Sequence, residues 1–167
     1  MTKSFLGWAV FCALVLPPPS AACTCMWAGP FLQVGPGAEL IVRVRVVRHF
    51  DRSRGVDRAM EVEVIEVLKG SSRTRRLKIW GDDGGQCRPY VSGFLVGSEW
   101  IFAVSRSRGE KGREQDYAIS VCGEYWAKVE GDAVSGRLTT PLPPSGQDRP
   151  EKMSLREVRE KLRAARR

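Results

Sequence analysis

The chain is short of histidine, of acidic residues and of long apolar runs, and each shortage narrows what it can do. Its only histidine is His49, beside Phe50, so no second imidazole is available to share a metal or to pair with a nucleophile. Asp82-Asp83 is the most conspicuous carboxylate pair, but neighbours in a glycine loop rarely converge on one substrate, and turn formation accounts for them. These shortages argue against an enzyme. No Cys-x-x-Cys occurs, which removes the usual thiol-redox motif and the paired spacing of a zinc finger. No segment after residue 22 approaches the roughly 20 apolar residues of a membrane-spanning helix.

Acid is outnumbered by base, 19 Asp and Glu against 27 Lys and Arg, for a formal charge of +8. Residues 148–167 alone carry eight Lys/Arg and four Asp/Glu, so much of the excess is a tail suited to solvent or to anionic surface polymers. Basic charge together with Trp80, Tyr90, Trp100, Tyr125 and Trp126 would also fit nucleic-acid binding. The export signal described next argues against that, and no nucleic-acid partner is expected.

What is present is a secretory signal over residues 1–22. Lys3 supplies the positive start, Phe5 begins an apolar stretch that ends at Leu16, three prolines break it, and Ser20-Ala21-Ala22 offers small residues for cleavage. A cut after Ala22 leaves 145 residues, enough for one domain with its own core. That chain begins at Cys23 and is secreted or periplasmic. A lipid on Cys23 is an alternative that would block its amino group; Ser20 stands where a lipoprotein signal would carry leucine. Four cysteines remain, Cys23, Cys25, Cys87 and Cys122. In an exported chain they form two disulfides, and sequence alone allows three pairings.

Residues 39–48 alternate, with Leu40, Val42, Val44 and Val46 on one face and Arg43 and Arg45 on the other, which predicts a half-buried strand. Residues 60–68 predict a second strand whose apolar phase slips at Ile65 and Val67, the sign of a bulge. A third strand is expected over 75–80, a central one over 94–104 and a fifth carrying Tyr117, Ile119 and Val121. Residues 106–113 are expected to form a charged hairpin connection. Five short-linked strands predict a small closed barrel of the oligonucleotide/oligosaccharide-binding (OB) type. Residues 139–150 are a Pro/Ser/Gly linker. Residues 151–167 are a basic C-terminal helix with Ser154-x-x-Glu157 as a capping box, Met153 stapling to Val158, and Leu155, Val158, Leu162 and Ala165 on one face.

Several of these stretches lie together in one known pattern. Cys23-Thr24-Cys25 at a mature terminus, Glu39-Leu40-Ile41-Val42-Arg43-Val44, and Val64-Ile65-Glu66-Val67-Leu68-Lys69-Gly70 come in that order. Cys87 after a glycine loop, Phe94-Leu95-Val96-Gly97 and Cys122-Gly123 follow. The chain thereby resembles the N-terminal inhibitory domain of the tissue inhibitors of metalloproteinases, a netrin-like module, over residues 23–126. The resemblance implies a netrin-like OB barrel over residues 23–138 and bridges Cys23–Cys87 and Cys25–Cys122. It implies a monomeric inhibitor with no cofactor of its own, in which the α-amino and carbonyl groups of Cys23 chelate the zinc of a target metalloprotease. Thr24 would enter the adjacent specificity pocket, and Cys25, Met26, Trp27, Gly84, Gly85, Gln86 and Arg88 would complete the contact ridge. The family's third disulfide has no counterpart here. Met26-Trp27 is bulkier than the family's residues, and Gly84-Gly85-Gln86 lacks its acidic and hydroxyl side chains. A netrin-like module that docks a protein or an envelope polyanion, without touching zinc, is the alternative.

Overall fold

A computed structural model describes residues 24–107, 116–141 and 150–165. The signal segment, Cys23, most of the expected 106–113 connection and most of the expected linker lie outside the described residues. The element order is α1 (Phe31–Val34), β1 (Leu40–Ser53), β2 (Val56–Lys69), β3 (Arg76–Trp80), β4 (Glu99–Arg106), β5 (Tyr117–Ala118), β6 (Trp126–Glu130), β7 (Ala133–Gly136), β8 (Glu151–Ser154) and α2 (Leu155–Ala164). Among the described residues no helix is long and apolar enough to cross a membrane.

Five strands close on themselves in the order β1-β2-β3-β5-β4, with β4 returning to β1. The pair β3–β5 is parallel and the others are antiparallel. This is the five-stranded OB-like barrel that the strand count predicts. Alternation along β1 sends Leu40, Val42, Val44 and Val46 inward. There they meet Met60 and Val62 of β2, Leu77 and Ile79 of β3, Phe102 and Val104 of β4, and Tyr117. The slip in the pattern of β2 is real: the β1–β2 register shifts at Ile41/Val42 and at Arg43/Val44, leaving Leu68 and Ile65 as extra residues of β2. Ile65 and Val67 are accordingly exposed. A third shift, at Val46/Arg48, makes Val47 the extra residue of β1. Such bulges bend a long hairpin so that it can wrap a small barrel.

β4 is the branch point of the molecule. One edge pairs with β1 from Glu99 to Val104. The other is divided, with Ser105 and Arg106 on β5 and residues 99–102 on β6. From β6 a short meander, β6-β7-β8, leads outward, and α2 follows β8. Ile41, Ile101 and Ala103, on the outer side of β1 and β4, then share a second core with Phe31, Ala127, Val129, Val134, Leu138 and the buried face of α2. That face is Leu155, Val158 and Leu162, while Ala165, expected beside them, is exposed at the C-cap. Ser154 accepts a hydrogen bond from the Glu157 amide, as its capping role requires, and Met153 packs on the same core.

Several element boundaries differ from expectation, and β1 and β2 run on to Ser53 and from Val56, through the turn expected there. β4 starts at Glu99 rather than residue 94, because Gly97 has φ +85° and Ser98 closes a turn by donating from its amide and hydroxyl to the Leu95 carbonyl. The fifth strand is only two residues long; Ile119 still fills the barrel, but beyond it the chain turns toward Cys122. The C-terminal helix begins at Leu155, because residues 151–154 are spent as an edge strand on β7.

Candidate functional site

The residues of greatest interest lie where β3 and β5, running side by side, leave the barrel. Phe94 plugs this end, its ring edge-on to Trp100 and Phe102 at 5.0 Å each and to Trp126 at 5.9 Å. Such edge-to-face pairs add to what burial alone contributes. Across the plug runs the long loop 81–98, and beside it lies the irregular N-terminal stretch 24–30.

That stretch is fixed by its backbone and one covalent bond. Cys25 is bridged to Cys122, with Cα atoms 5.6 Å apart and a sequence separation of 97. The Ala28 amide donates to the Cys122 carbonyl at 2.8 Å, and the Glu124 amide donates to the Gly29 carbonyl at 3.0 Å. The Phe31 and Leu32 amides continue the attachment onto the Arg137 and Leu138 carbonyls. The approach depends on glycine: a Cβ on Gly123 would stand 3.3 Å from the Gly29 oxygen, and one on Gly29, at φ +139°, would stand 2.7 Å from the Gln33 side chain.

Held in this way, the segment turns its side chains outward. Thr24 and Cys25 are exposed and Met26 is 91 % exposed. Trp27 is half-buried, with the Arg137 guanidinium 5.9 Å from its ring centre. Its indole N–H is buried without a hydrogen-bond partner among the described residues.

The glycine loop is built with equal economy. As β3 ends, the Gly81 amide donates to the Arg58 carbonyl. A Cβ at Gly81 would come within 2.6 Å of Val91 and 2.7 Å of the Pro89 oxygen. The Asp82 amide donates to the Pro89 carbonyl, closing the loop, and the Asp82 carboxylate accepts from the Gln86 amide at 2.7 Å. Asp82 is thus a turn former, as its setting predicts. Gly84, at φ +101°, Gly85 and Gln86 form the exposed tip. Cys87 then accepts from the Val121 amide through its carbonyl, and it is itself held in a disulfide whose partner lies outside the described residues.

The sulfurs of Cys25, Cys87 and Cys122 lie within 4.8 Å of one another. Three such sulfurs could pass for a metal centre, but each is oxidised, and a disulfide sulfur offers no thiolate to a metal. Their closeness places the residue 84–88 loop beside residues 24–26. Of the residues singled out from sequence, Thr24, Cys25, Met26, Trp27, Gly84, Gly85, Gln86 and Arg88 therefore lie on the strands and loops that meet at this one sulfur cluster. His49 is elsewhere occupied, its Nε2 donating to the Phe94 carbonyl at 2.8 Å.

Sequence reasoning did not place on this surface the exposed apolar residues farther along the same loop, Tyr90, Leu95 (70 % exposed) and Val96 (60 % exposed). Leu95 and Val96 sit in an apolar run that suggests strand core, and only Gly97-Ser98 hints at the turn that puts them outside. No protein-family model matches this chain, and no curated protein matches it by sequence.

Proposed function

We propose that the protein is an exported inhibitor of zinc metalloproteases that acts through its mature terminus. The observation that carries this reading is the immobilised segment at residues 24–26: side chains exposed, backbone tied by the Cys25–Cys122 bridge, and a second disulfide sulfur within 4.8 Å. A segment fixed before binding has little conformational entropy left to lose on an enzyme surface. A structural staple alone would not need Met26 to project into solvent.

The chemistry follows from a terminus at Cys23. A free α-amino group has a pKa of about 8, so a useful fraction is neutral near pH 7 and can donate to a metal. Amino nitrogen and carbonyl oxygen of one residue close a five-membered chelate on a cation. A catalytic zinc with three protein ligands keeps its fourth position for water. Displacing that water removes the nucleophile the protease depends on. Thr24 would occupy the pocket next to the metal, with Met26 and the 84–88 loop extending the contact.

The test compares protein beginning at Cys23 with the same protein carrying one alanine before it, against a panel of zinc metalloproteases. Inhibition by the first and its loss, by about 100-fold or more, in the second is expected, since an amide nitrogen has its lone pair delocalised into the carbonyl and cannot take the neutral amine's place on the zinc. Absence of inhibition by both forms would overturn the proposal in favour of a netrin-like docking module.

A further inference from the structure

The end of the barrel opposite the sulfur cluster carries a second feature. It is formed where β1 and β3 begin, where β2 and β4 end, and where β5 starts, with Leu40 opposite Val104 and Ser105 opposite Ala118. Among the described residues no cluster of aromatic rings fills it. Instead a pocket of about 370 Å³ opens between the turn after β2 and the end of β4. That volume lies in the lower part of the range typical of small-ligand sites.

Its lining has three chemical parts. Arg73 and Arg106 supply guanidinium groups. Arg106 has its guanidinium 5.3 Å from the Tyr117 ring centre and its Nε 3.7 Å from a Glu39 carboxylate oxygen. Leu77 and Tyr117, both buried in the barrel core, provide an apolar floor. Ser71, Ser72 and Thr74 form a hydroxyl rim, and among the described residues no acidic side chain lines the space.

The orientation of the hydroxyls narrows the ligand. Ser72 donates to the Thr74 carbonyl and Thr74 to the Arg76 carbonyl, both at 2.9 Å. With their protons committed to the backbone, these oxygens face a ligand as acceptors. A bare inorganic anion would satisfy the guanidinium groups but repel such acceptors. A ligand with hydroxyl donors, an apolar ring face and an oxyanion meets all three parts.

We propose that this pocket binds an acidic saccharide, its sulfate or carboxylate held between Arg73 and Arg106, its ring over Leu77 and Tyr117, and its hydroxyls donating to Ser72 and Thr74. The site stands independently of protease inhibition. Because it lies at the other end of the barrel, a ligand here leaves the Cys25–Cys122 end accessible.

The disulfide-intact protein is titrated by calorimetry with a sulfated disaccharide, with its unsulfated counterpart and with inorganic sulfate. The sulfated sugar binds, more weakly as NaCl is raised, and the other two bind at least tenfold more weakly. R73S and R106Q each weaken the sulfated sugar by about tenfold or more, the loss of a charge-assisted hydrogen bond, with the melting temperature unchanged in R73S. Arg73 is exposed on a turn, so R73S tests binding without testing folding. Equal binding of the unsulfated sugar, equal binding of inorganic sulfate, or undiminished affinity in both variants would each overturn the assignment.

Discussion

The two ends of the described chain are fastened by opposite means. At the start, Thr24, Cys25 and Met26 are all exposed and bury nothing, and a disulfide holds them. At the finish, α2 buries Leu155, Val158 and Leu162 and needs no covalent bond. Its hold is completed by Arg159, whose guanidinium donates to both oxygens of Glu66 on β2, by the Ser154 cap, and by a carboxylate clamp at Glu151. Ordering a residue costs about 1–2 kcal/mol of backbone entropy, which burial can offset and exposure cannot. A segment kept exposed for contact must therefore be fixed some other way. The disulfide is that other way.

The comparison breaks most sharply if the covalent bond is removed. Replacing Cys25 and Cys122 together by serine opens a loop of 97 residues in sequence. Chain-entropy reasoning gives a loss of about 4–5 kcal/mol at most, measured by urea unfolding, and the inhibitory activity should vanish with it. Amide exchange should rise at Ala28 while the α2 amides keep their protection relative to global unfolding.

At the other end the equivalent blow is to packing. Leu162 is essentially buried in the outer core, so L162A should cost about 2–5 kcal/mol by denaturant titration. If the two ends are fastened independently, the effects of this change and of the serine pair should add within about 0.5 kcal/mol.

A milder separation uses pH. Glu151 accepts hydrogen bonds from the amides of Leu138, Thr139 and Thr140 and from the Thr139 hydroxyl. Burial pushes its carboxyl up, but the bonds from Thr139 and Thr140 outweigh that and hold it at about 2, below its usual 4.5. A lowered pKa means stabilisation present in full above 4.5 and lost as pH falls toward 2. The clamp contributes up to about 3 kcal/mol, and E151Q should flatten this part of the acid-unfolding curve. Acid should thus loosen the C-terminal layer where reductant loosens the N-terminal segment.

The smallest expected effect on stability at the C-terminal end is at the cap, where S154A should cost about 1 kcal/mol in melting experiments. Met26→Ala should change stability by less than about 0.5 kcal/mol, since its side chain is in solvent, yet it should weaken protease inhibition measurably.

The barrel was legible because its signals are local. The alternation of Leu40, Val42, Val44 and Val46 and the phase slip at Ile65 survive into the structure without change. The cluster around Cys25 and Cys122 was legible only through the resemblance, because residues 97 apart share no local pattern. Of the outer layer the helix was legible and the strands were missed. Trp126–Glu130 and Ala133–Gly136 are short strands whose two-residue Gly131-Asp132 turn was the available signal, and Glu151–Ser154 forms a strand only because β7 offers it an edge. The polar pocket at the far mouth was invisible in sequence for the same reason: Arg73 and Arg106 meet only through barrel closure.

The most direct test of the proposed inhibition is the state of the mature terminus. Intact mass and N-terminal sequencing of the exported protein should show a chain that begins at Cys23, with an unmodified amino group and the four hydrogens of two disulfides missing. A chain that begins with any residue before Cys23, or whose Cys23 amine is acylated, would contradict zinc chelation by that residue.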